Sequence, residues 1–518
     1  IQNPHCVSKT YPKYWEDLKK INIDIETRNI LNLRTITLIG MPGSGKTTLA
    51  KEVNDKLSIR NMDIDELVIG DVGSIKNFIK NNSWKNFREI ESKHIFESLL
   101  DDNIKIISTG GGVVENKSSR NLIEDSLVIW VQRDKNDDTC LNRELPDSYD
   151  NLKIKRKNIY SSLSDYTYIN NRDPYDFIKW LRLVLFENPI PINSSFLCKS
   201  DSTYEDNIAT CIEIRGDMGD NYNLNEIQNT MINFGKPCIY TLRTTKEGGK
   251  FEGNKKEYIE IINKAINLGA KIIDLEVDMD VKLGEEVNTI GSIHSNDLSY
   301  IKSNINKFNH NILKIVTSSN NCEILEKENL IDKTILIDND TGKYRAKNNY
   351  LTPISSSISE QTAPNQLNYT EYLNKCYTNN NQKFIFLFGN NIGESPSSFI
   401  HNIVISKYHK NIRYLNFETQ NIDSIIDIIN KPYFLGASVT MPFKEEVIHF
   451  FRKKSNFKAI NTIIKKDQIE FNNTDTMALS YFIKDLPTII LGTGGAAIGA
   501  IEACKNKNID ITVIGRSE

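Results

Sequence analysis

A glycine-rich loop between an apolar strand and a helix constrains this chain more than any other feature. Residues 35–39 form an apolar run typical of a buried strand, and residues 49–53 read as the start of a helix. The loop between them matches the phosphate-binding pattern G-x-x-x-x-G-K-[ST] and consists of Gly40, Met41, Pro42, Gly43, Ser44, Gly45, Lys46, Thr47 and Thr48. Its backbone N–H groups can surround phosphate oxygens, and the helix N-terminus adds partial positive charge. The loop therefore predicts an ATP site.

Two side chains of this loop have separate roles in the predicted site. A lysine at the position of Lys46 reaches the β- and γ-phosphates, and a hydroxyl at the position of Thr47 holds Mg²⁺. The loop does not identify the group that receives the phosphoryl group. The rest of the chain has to supply that information.

Size and composition limit the class of protein. A chain of 518 residues predicts about three domains, and 39% hydrophobic with 25% charged residues is typical of a globular protein. A net charge of −3 indicates no general attraction to nucleic acid or to a membrane, and no apolar run has membrane-spanning length. The eight cysteines are scattered without a C-x-x-C pair, so we expect a reducing compartment, the cytoplasm.

The order of strands and helices predicts a multidomain α/β chain. Strands and helices alternate in residues 34–187, a linker follows at 189–195, and a second linker at 378–382 precedes a further α/β pattern at 383–518. Eight strands with helical crossovers in residues 193–376 favour a (β/α)₈ barrel. These strands are Phe196–Lys199, Thr210–Arg215, Cys238–Arg243, Lys271–Val277, Asn288–His294, Ile312–Thr317, Thr334–Asp338 and Tyr350–Ile354.

Residues 34–187, here the kinase segment, carry further motifs behind the phosphate loop. Asp63-Ile64-Asp65, Phe87-Arg88-Glu89-Ile90-Glu91 and Thr109-Gly110-Gly111-Gly112 occur in the order and spacing that resemble shikimate kinase. The resemblance implies that Asp65 binds and helps to deprotonate the substrate hydroxyl and that Asp63 lies near Mg²⁺. It also implies that the substrate is bound by Arg88, Gly110, Gly111, Gly112 and Arg156. Arg143 would be the lid arginine over the nucleotide. Another small-molecule kinase, such as a gluconate kinase, is the alternative.

Residues 193–376, here the barrel segment, place Lys314 inside the apolar strand Ile312–Thr317. A buried neutral amine is the nucleophile that a Schiff base needs, whereas a strand-end lysine that reaches to water is the commoner case. The segment also contains the motifs Glu213-Ile214-Arg215, Thr241-Leu242-Arg243, Glu247-Gly248-Gly249, Ser292-Ile293-His294, Tyr344-Arg345 and Thr362-Ala363-Pro364-Asn365-Gln366. Together they resemble type I 3-dehydroquinate dehydratase, and the rival is a Schiff-base aldolase. The resemblance implies that His294 transfers protons and that Glu213 orients it. It implies a substrate pocket completed by Arg215, Arg243, Arg345, Thr362 and Gln366.

Residues 383–518, here the reductase segment, resemble shikimate dehydrogenase through Ser395-Pro396-Ser397, Ser438 to Lys444, Ile460-Asn461-Thr462 and Asn473-Thr474-Asp475. The resemblance implies that Lys444 and Asp475 are the proton-transfer pair. Substrate would be held by Ser395, Ser397, Thr440 and Asn461, and NADPH by Gly492, Gly494, Gly495, Ala496 and Arg516. Because only two predicted strands follow Asp475, we expect a truncated Rossmann domain with little reductase activity.

The three segments stand in the order found in the fungal-type pentafunctional AROM polypeptides, and residues 1–30 resemble the end of a 3-phosphoshikimate 1-carboxyvinyltransferase domain. The resemblance implies a C-terminal fragment that handles shikimate, 3-dehydroquinate and 3-dehydroshikimate. It also implies missing N-terminal activities, dehydroquinate synthase with Zn²⁺ and NAD among them, and a homodimer. The competing hypothesis is a non-catalytic regulatory relative that binds pathway metabolites. The retained nucleophile and proton carriers argue against that alternative.

Overall fold

The computed structural model describes most of the chain, with gaps. The described residues are 35–100, 105–133, 145–185, 196–199, 208–284, 287–305, 310–328, 334–347, 351–355, 363, 365–393, 395, 397–409, 411–451, 458–484, 486–491 and 494–514. Four predicted site residues lie outside them, namely Arg143, Thr362, Gly492 and Arg516, as do the tail 1–30 and the linker 189–195. Within the described part, no helix is long and apolar enough to cross a membrane.

The kinase segment is a five-stranded parallel sheet with helices around it. The strands are β1 (Thr35–Ile39), β2 (Arg60–Asp63), β3 (Lys105–Ser108), β4 (Leu127–Gln132) and β5 (Tyr166–Ile169), in the order β2-β3-β1-β4-β5. The helices are α1 (Lys46–Leu57), α2 (Ile64–Val72), α3 (Ile75–Asn81), α4 (Trp84–Leu99), α5 (Lys117–Ile123), α6 (Tyr149–Leu163) and α7 (Pro174–Leu185). The predicted strand before the phosphate loop is the central strand.

Burial explains why the phosphate loop has a fixed position. All five residues of β1 are buried, as the continuous apolar run predicts for a strand covered on both faces. Helix α1 buries Leu49, Ala50 and Val53 against this sheet. The loop therefore connects two elements that are both anchored in the core, at the carboxyl end of a parallel strand, where ligands bind in such sheets.

The barrel segment contains all eight predicted strands, in barrel order. They are β6 (Phe196–Lys199), β7 (Cys211–Arg215), β8 (Cys238–Thr241), β9 (Ile272–Glu276), β10 (Asn288–His294), β11 (Ile312–Thr317), β12 (Thr334–Asp338) and β13 (Leu351–Ser355), and the two-residue β14 (Leu367–Asn368) follows. The parallel order is β12-β11-β10-β9-β8-β7-β6-β13-β14, so the last predicted strand pairs with the first. Among the described residues no pairing joins β12 to β13 or β14.

Among the described residues of the barrel segment, the helices are fewer than the strands. They are α8 (Leu224–Phe234), α9 (Lys255–Asn267), α10 (Leu298–Ile305), α11 (Ser319–Glu326) and α12 (Tyr369–Asn380). Between β9 and β10 the described residues form a single 3₁₀ turn, Val277–Met279, where the sequence predicted a helical crossover. Isoleucines from strands β8 to β12 fill the interior at the amino ends of the strands. The opposite, carboxyl ends carry the polar residues.

The second predicted linker, residues 378–382, is largely helical. Helix α12 begins with a capping box in which Asn368 and Glu371 exchange hydrogen bonds, and it ends at Asn380. Asn381 follows with a φ of 50°, the left-handed conformation that asparagine tolerates at a helix end. Tyr372 of this helix packs into the core of the reductase segment. The polar composition suggested a loop, but the left-handed Asn381 closes the helix by donating its N–H to the carbonyl oxygens of Cys376 and Tyr377.

The reductase segment has a mixed five-stranded sheet and a separate strand pair. The sheet order is β16 (Ile412–Glu418), β15 (Lys383–Gly389), β17 (Phe434–Val439), β18 (Thr462–Lys465) and β19 (Ile469–Asn472), and β20 (Thr488–Leu491) pairs in parallel with β21 (Ile511–Ile514). The helices are α13 (Ser397–Tyr408), α14 (Ile422–Asn430), α15 (Phe443–Phe450), α16 (Thr474–Phe482) and α17 (Gly495–Asn506). The two strands predicted after Asp475 are confirmed.

Candidate active sites

The phosphate loop of the kinase segment has the backbone that its glycines allow. Gly43 and Gly45 have φ values of 80° and 94°, a region that residues with a Cβ rarely adopt. The Lys46 ammonium donates hydrogen bonds to the carbonyl oxygens of Gly40, at 2.9 Å, and Met41, at 3.0 Å. The Thr47 hydroxyl donates to the Asp63 carboxylate at 2.6 Å. A hydroxyl and a carboxylate oxygen therefore meet at the start of α1, which is a suitable donor set for a hard cation.

The glycine triplet lies between the phosphate loop and the predicted acceptor residues. A Cβ at Gly111 would collide with the Pro42 ring, which places the triplet directly against the phosphate loop. A Cβ at Gly110 would collide with the carboxylates of Asp65 and Glu91. One at Gly112 would overlap the Arg88 guanidinium. Glycine is needed here because the backbone approaches charged side chains on both sides.

Two arginines border the triplet, and each is held by a carboxylate. Arg88 donates to Glu91 at 2.7 Å, and burial raises the pKa of Glu91 although Arg88 opposes the shift. Arg156 is only 1% exposed, and it donates to the Gly111 carbonyl oxygen at 3.0 Å and pairs with Glu115 at 3.3 Å. Asp65, Arg88, Arg156 and the glycines, predicted as one acceptor site, are therefore brought together.

In the barrel segment, Lys314 lies in the middle of β11 and is 6% exposed. Its Nζ pairs with the Asp274 carboxylate at 2.9 Å. Burial alone would raise the pKa of Asp274, but the charges of Arg243 and Lys314 more than offset it and hold that pKa below its usual range. The compensation for burying Lys314 is therefore an ion pair with β9, a partner that the sequence argument did not include.

Arg243 shares the same carboxylate and contacts others. Its guanidinium donates to Asp274 at 2.9 Å, to Ser292 at 2.6 Å and to Glu247 at 3.1 Å. Burial would lower the pKa of Arg243, but these carboxylates raise it. Ser292 pairs in register with Lys314 across β10 and β11. Arg243 therefore links the lysine strand to the carboxylates beside the histidine.

His294 ends β10, two residues beyond Ser292 and thus on the same face of the strand. Its Nδ1 lies 2.9 Å from the Glu247 carboxylate. Burial lowers the pKa of His294 well below its usual value, with Arg243 and Lys314 acting in the same direction. Burial also raises the pKa of Glu247 to about 8. The lowered pKa of His294 favours a neutral imidazole, which is the form that can accept a proton.

The expected partner of His294 needs correction. Glu213 accepts a hydrogen bond from the Thr241 hydroxyl at 2.8 Å, whereas Glu247 contacts the imidazole. The reason is topological, because Glu247 lies four residues after Arg243 in a 3₁₀ turn above the carboxyl ends of β8 to β10. Glu213 remains a candidate for the pocket wall.

The other predicted barrel residues occupy different positions around the carboxyl ends of the strands. Arg215 forms a bidentate pair with Asp217 at 2.9 and 2.8 Å, so its guanidinium is held by its own loop. Arg345 is 3% exposed, and burial lowers its pKa to about 10. Gln366 is 1% exposed and follows the gap that includes Thr362.

In the reductase segment, Lys444 and Asp475 meet as predicted. The ammonium donates to the carboxylate at 2.6 Å, from the first turns of α15 and α16. Asn461 donates to the Thr474 hydroxyl at 2.8 Å and so lies next to Asp475 along the chain. A Cβ at Gly495 would lie 3.2 Å from the Lys444 side chain, at the N-terminus of α17. The predicted dinucleotide turn therefore adjoins the proton-transfer pair.

The serine pair also lies at one edge of this site. The Ser395 and Ser397 hydroxyls are 3.0 Å apart, and Asn416 donates to the Ser395 carbonyl oxygen at 3.1 Å. Thr440 follows β17, and its methyl group would meet a Cβ at Gly389. Because β15 and β17 are parallel neighbours, their carboxyl ends bring the serine loop and the Thr440 turn to the same edge.

Sequence reasoning missed Asp274 and gave no role to Glu247 and Ser292, which it noted only as parts of motifs. The signals for them are Asp274 and Glu276 at alternate positions of an otherwise apolar strand, and a glutamate four residues after Arg243. Glu247, Glu276 and Asp278 also place their ligand atoms within 4.8 Å of one another, the spacing of a cation site. Arg243 and Lys246 pair with these carboxylates and already supply positive charge.

Comparison with known proteins gives a separate result for each segment. Residues 42–179 match the family model for shikimate kinase, residues 200–323 that for type I 3-dehydroquinase, and residues 387–463 that for the shikimate dehydrogenase substrate-binding domain. The chain is 26% identical to the pentafunctional AROM polypeptide of Saccharomyces cerevisiae, across 96% of this chain and 37% of that protein. It is 29% identical to the one from Pneumocystis carinii, across 100% of this chain and 40% of that protein.

One similar solved structure is that of dehydroquinate dehydratase and shikimate dehydrogenase from S. pombe AroM. It is 21% identical with a TM-score of 0.33, and the match covers 62% of this chain and 74% of that chain. The present chain spans about two fifths of the length of the curated relatives, 37% and 40% in the two cases above. The chain resembles the pentafunctional AROM polypeptides, and its segments match, in that order, the family models for shikimate kinase, type I 3-dehydroquinase and the shikimate dehydrogenase substrate-binding domain.

Proposed function

We propose that this chain is a multifunctional enzyme of the shikimate pathway. It phosphorylates shikimate with ATP, dehydrates 3-dehydroquinate to 3-dehydroshikimate through a Schiff base, and carries the substrate site for NADPH-dependent reduction of 3-dehydroshikimate to shikimate. The observation that carries the proposal is the buried Lys314, ion-paired with Asp274 and one strand away from His294. The three family matches support the same assignment. The proposed boundaries are those expected from the sequence, 34–187, 193–376 and 383–518.

The kinase reaction uses ATP on one side of the glycine triplet and the acceptor substrate on the other. The phosphate loop holds ATP, and Lys46 exchanges its carbonyl partners for phosphate oxygens. Asp65 accepts the proton of the substrate hydroxyl as that oxygen attacks the γ-phosphoryl group and ADP leaves. Arg88 and Arg156 bind the substrate carboxylate, for which a planar guanidinium is suited.

A magnesium ion fits the start of α1. Thr47 and Asp63 already bring a hydroxyl and a carboxylate oxygen within 2.6 Å of each other, and both are oxygen ligands that Mg²⁺ prefers. The ion would neutralise negative charge on the transferring phosphoryl group. In the absence of the ion, the chain itself orients the two ligands through the hydrogen bond between them.

The dehydration uses the cluster on β8 to β11. Lys314 passes its extra proton to Asp274, its ion-pair partner, and the neutral amine attacks the substrate ketone. The proton then returns to the departing oxygen, and loss of water gives an iminium that withdraws electrons from the adjacent carbon. His294, neutral because burial lowers its pKa, removes a proton from that carbon and returns it to the departing hydroxyl. Glu247 holds Nδ1 and leaves Nε2 for the proton transfer. Hydrolysis of the imine then releases 3-dehydroshikimate and restores the Lys314 amine.

The reductase site contains a proton donor beside a dinucleotide turn. The turn at Gly494 fits a dinucleotide because it opens helix α17 and a Cβ at Gly494 would meet no atom within 4 Å, so a bound group could approach the backbone there. NADPH would supply the hydride for the carbonyl carbon. Lys444 delivers a proton to the carbonyl oxygen and Asp475 holds it in place, while Ser395 and Ser397 bind the substrate carboxylate.

Borohydride trapping tests the proposal directly. Sodium borohydride added with 3-dehydroquinate should fix a covalent adduct on the peptide that contains Lys314, detected by mass spectrometry. Lys314→Ala should remove both the adduct and dehydration and leave shikimate phosphorylation unchanged. The control is Lys302→Ala, at an exposed lysine of α10. Wild-type protein that forms no adduct and dehydrates no substrate would contradict the proposed barrel chemistry and favour a metabolite-binding relative.

Two further assignments concern the location and the oligomeric state of the chain. A cytoplasmic location is supported by five cysteines that are free and buried, Cys211, Cys238, Cys322, Cys376 and Cys504, as expected in a reducing compartment. The homodimer implied by the resemblance predicts twice the mass of the 518-residue chain in light scattering. A monomer at micromolar concentration would contradict it.

A further inference from the structure

Helix α8 of the barrel segment covers the free edge of the kinase sheet. Strand β5 is an edge strand, with β4 on one side only. On its other side the Gln228 side chain accepts a hydrogen bond from the Ile169 N–H at 3.0 Å and donates to the Thr167 carbonyl oxygen at 2.6 Å. Residues 167 and 169 present their backbone groups to the same edge, so one amide side chain replaces a neighbouring strand. Gln228 is 4% exposed.

Further contacts hold the two segments together at this edge. Arg172 donates to Asn229 at 2.8 Å and to Asn233 at 2.9 Å, both on α8. The Trp180 indole N–H donates to the Leu268 carbonyl oxygen at 3.0 Å. Apolar residues from α7 and α8 also belong to one continuous buried cluster. The edge of the kinase sheet is therefore part of a packed interface with the barrel segment.

The covered strand leads directly to the phosphate loop. Asn170, the residue after β5, is 7% exposed and donates from Nδ2 to the Ser44 carbonyl oxygen at 2.8 Å. A Cβ at Gly45 would collide with this same amide. Asn170 thus rests against the turn that opens α1, where the loop N–H groups must point at phosphate. A shift at the end of β5 changes that turn through a single residue.

We propose that Gln228, in the barrel segment, is a positioning residue for the nucleotide site of the kinase segment. It fixes the backbone of β5, β5 fixes Asn170, and Asn170 fixes the Ser44–Gly45 turn. The proposal rests on the proposed kinase function, because it assigns the phosphate loop to ATP. It predicts that the affinity for ATP depends on a side chain of the neighbouring catalytic segment.

The first test is Gln228→Leu in the full chain, which keeps the bulk of the side chain and removes both hydrogen bonds. We expect KM for ATP to rise about fivefold, the equivalent of one net hydrogen bond, with a smaller change in kcat and in KM for shikimate. Hydrogen exchange of the Ile169 amide should accelerate. The control is Asn225→Ala, on the exposed side of α8, which should leave all of these quantities unchanged. Unchanged KM and unchanged exchange in Gln228→Leu would overturn the proposal.

A double-mutant cycle tests whether Gln228 acts through Asn170. If Gln228 acts through Asn170, the effects of Gln228→Leu and Asn170→Ala on KM for ATP should not add, and the double variant should resemble Asn170→Ala. Fully additive effects would overturn the route. Faster exchange at Ile169 without any change in KM would limit Gln228 to a structural role and also overturn the proposal. A wild-type chain that does not bind ATP with Mg²⁺ in calorimetry would instead overturn the proposed kinase function.

Discussion

Replacing Asp274 with asparagine tests how the barrel keeps Lys314 in its interior. Asp274 is 1% exposed and accepts from three donors, Lys314 at 2.9 Å, Arg243 at 2.9 Å and Ser292 at 2.6 Å. Asparagine keeps the acceptor for Ser292 but removes the negative charge. In this variant Arg243 still donates to Glu247 at 3.1 Å. Lys314, in contrast, has Asp274 as its one hydrogen-bond partner in the described part of the chain.

The hydrogen bonds of Asp274 and Lys314 set the loss of stability expected in two matched variants. Removing one partner of a buried ion pair costs about 3–5 kcal/mol, and the retained Ser292 bond places Asp274→Asn near the lower end, about 3 kcal/mol. Lys314→Met removes the same ion pair from the other side and leaves Asp274 with Arg243 and Ser292. Its cost should be about 1–2 kcal/mol, that of one charged hydrogen bond. The asymmetry follows from the number of partners that each residue has.

Hydrogen exchange of β9 to β11, followed by mass spectrometry in the full chain, measures this difference. About 3 kcal/mol corresponds to a rise of roughly 150-fold in the open population, against roughly tenfold for Lys314→Met. Both variants should lose dehydration, because each alters the lysine or its position, and both should keep the kinase activity. A Lys314→Met variant that is as destabilised as Asp274→Asn would refute the assignment of Asp274 as the shared acceptor.

Three shorter predictions concern the kinase segment. Asp65→Asn should lower kcat at least about tenfold with little change in KM for ATP, whereas Lys46→Met should weaken ATP binding. Equal loss of ATP binding in both variants would show that the acceptor and nucleotide sides are misassigned. Gly112→Ala should raise KM for shikimate about tenfold in steady-state assays, because its Cβ displaces the neighbouring arginine; an unchanged KM would place the substrate elsewhere. Glu115→Gln should destabilise the protein at pH 7, because the two cations beside Glu115 lower its pKa despite partial burial. That stabilisation is present above pH 4.5 and is lost as the pH falls through the lowered pKa. The thermal unfolding midpoints of the wild type and the variant should therefore converge in acid. A difference that stays constant with pH would contradict the ion-pair account.

The linear pattern predicted most elements because their signals are local. The phosphate loop needs a strand, glycines at positive φ and a helix N-terminus, and all three lie within residues 35–57. The barrel strands were found in the same way, since each is a short apolar run between turns. The pairing of Lys444 with Asp475 was predicted only through resemblance, because 31 residues separate them in the chain.

Errors arose where a contact depends on packing between distant elements. The sequence assigned the orientation of His294 to Glu213, but the turn after β8 brings Glu247 to the imidazole. Polar composition predicted a linker at residues 378–382, but α12 continues to Asn380 and is closed by the left-handed Asn381, whose N–H donates to Cys376 and Tyr377. In each case the local composition was compatible with both outcomes, and the tertiary environment decided between them.

The sequence by itself determined the phosphate loop and the order of three α/β segments, because these depend on residue type and on spacing within one or two elements. It proposed reactive roles for Lys314, His294 and Lys444 through resemblance to known families. Only the tertiary structure decided which charges share a site. Asp274 meets Lys314 across 40 residues, and Gln228 meets the edge of β5 across 59. Such partners are fixed by the register of strands and by the packing of one segment on another. A single sequence does not encode these relations in any local pattern.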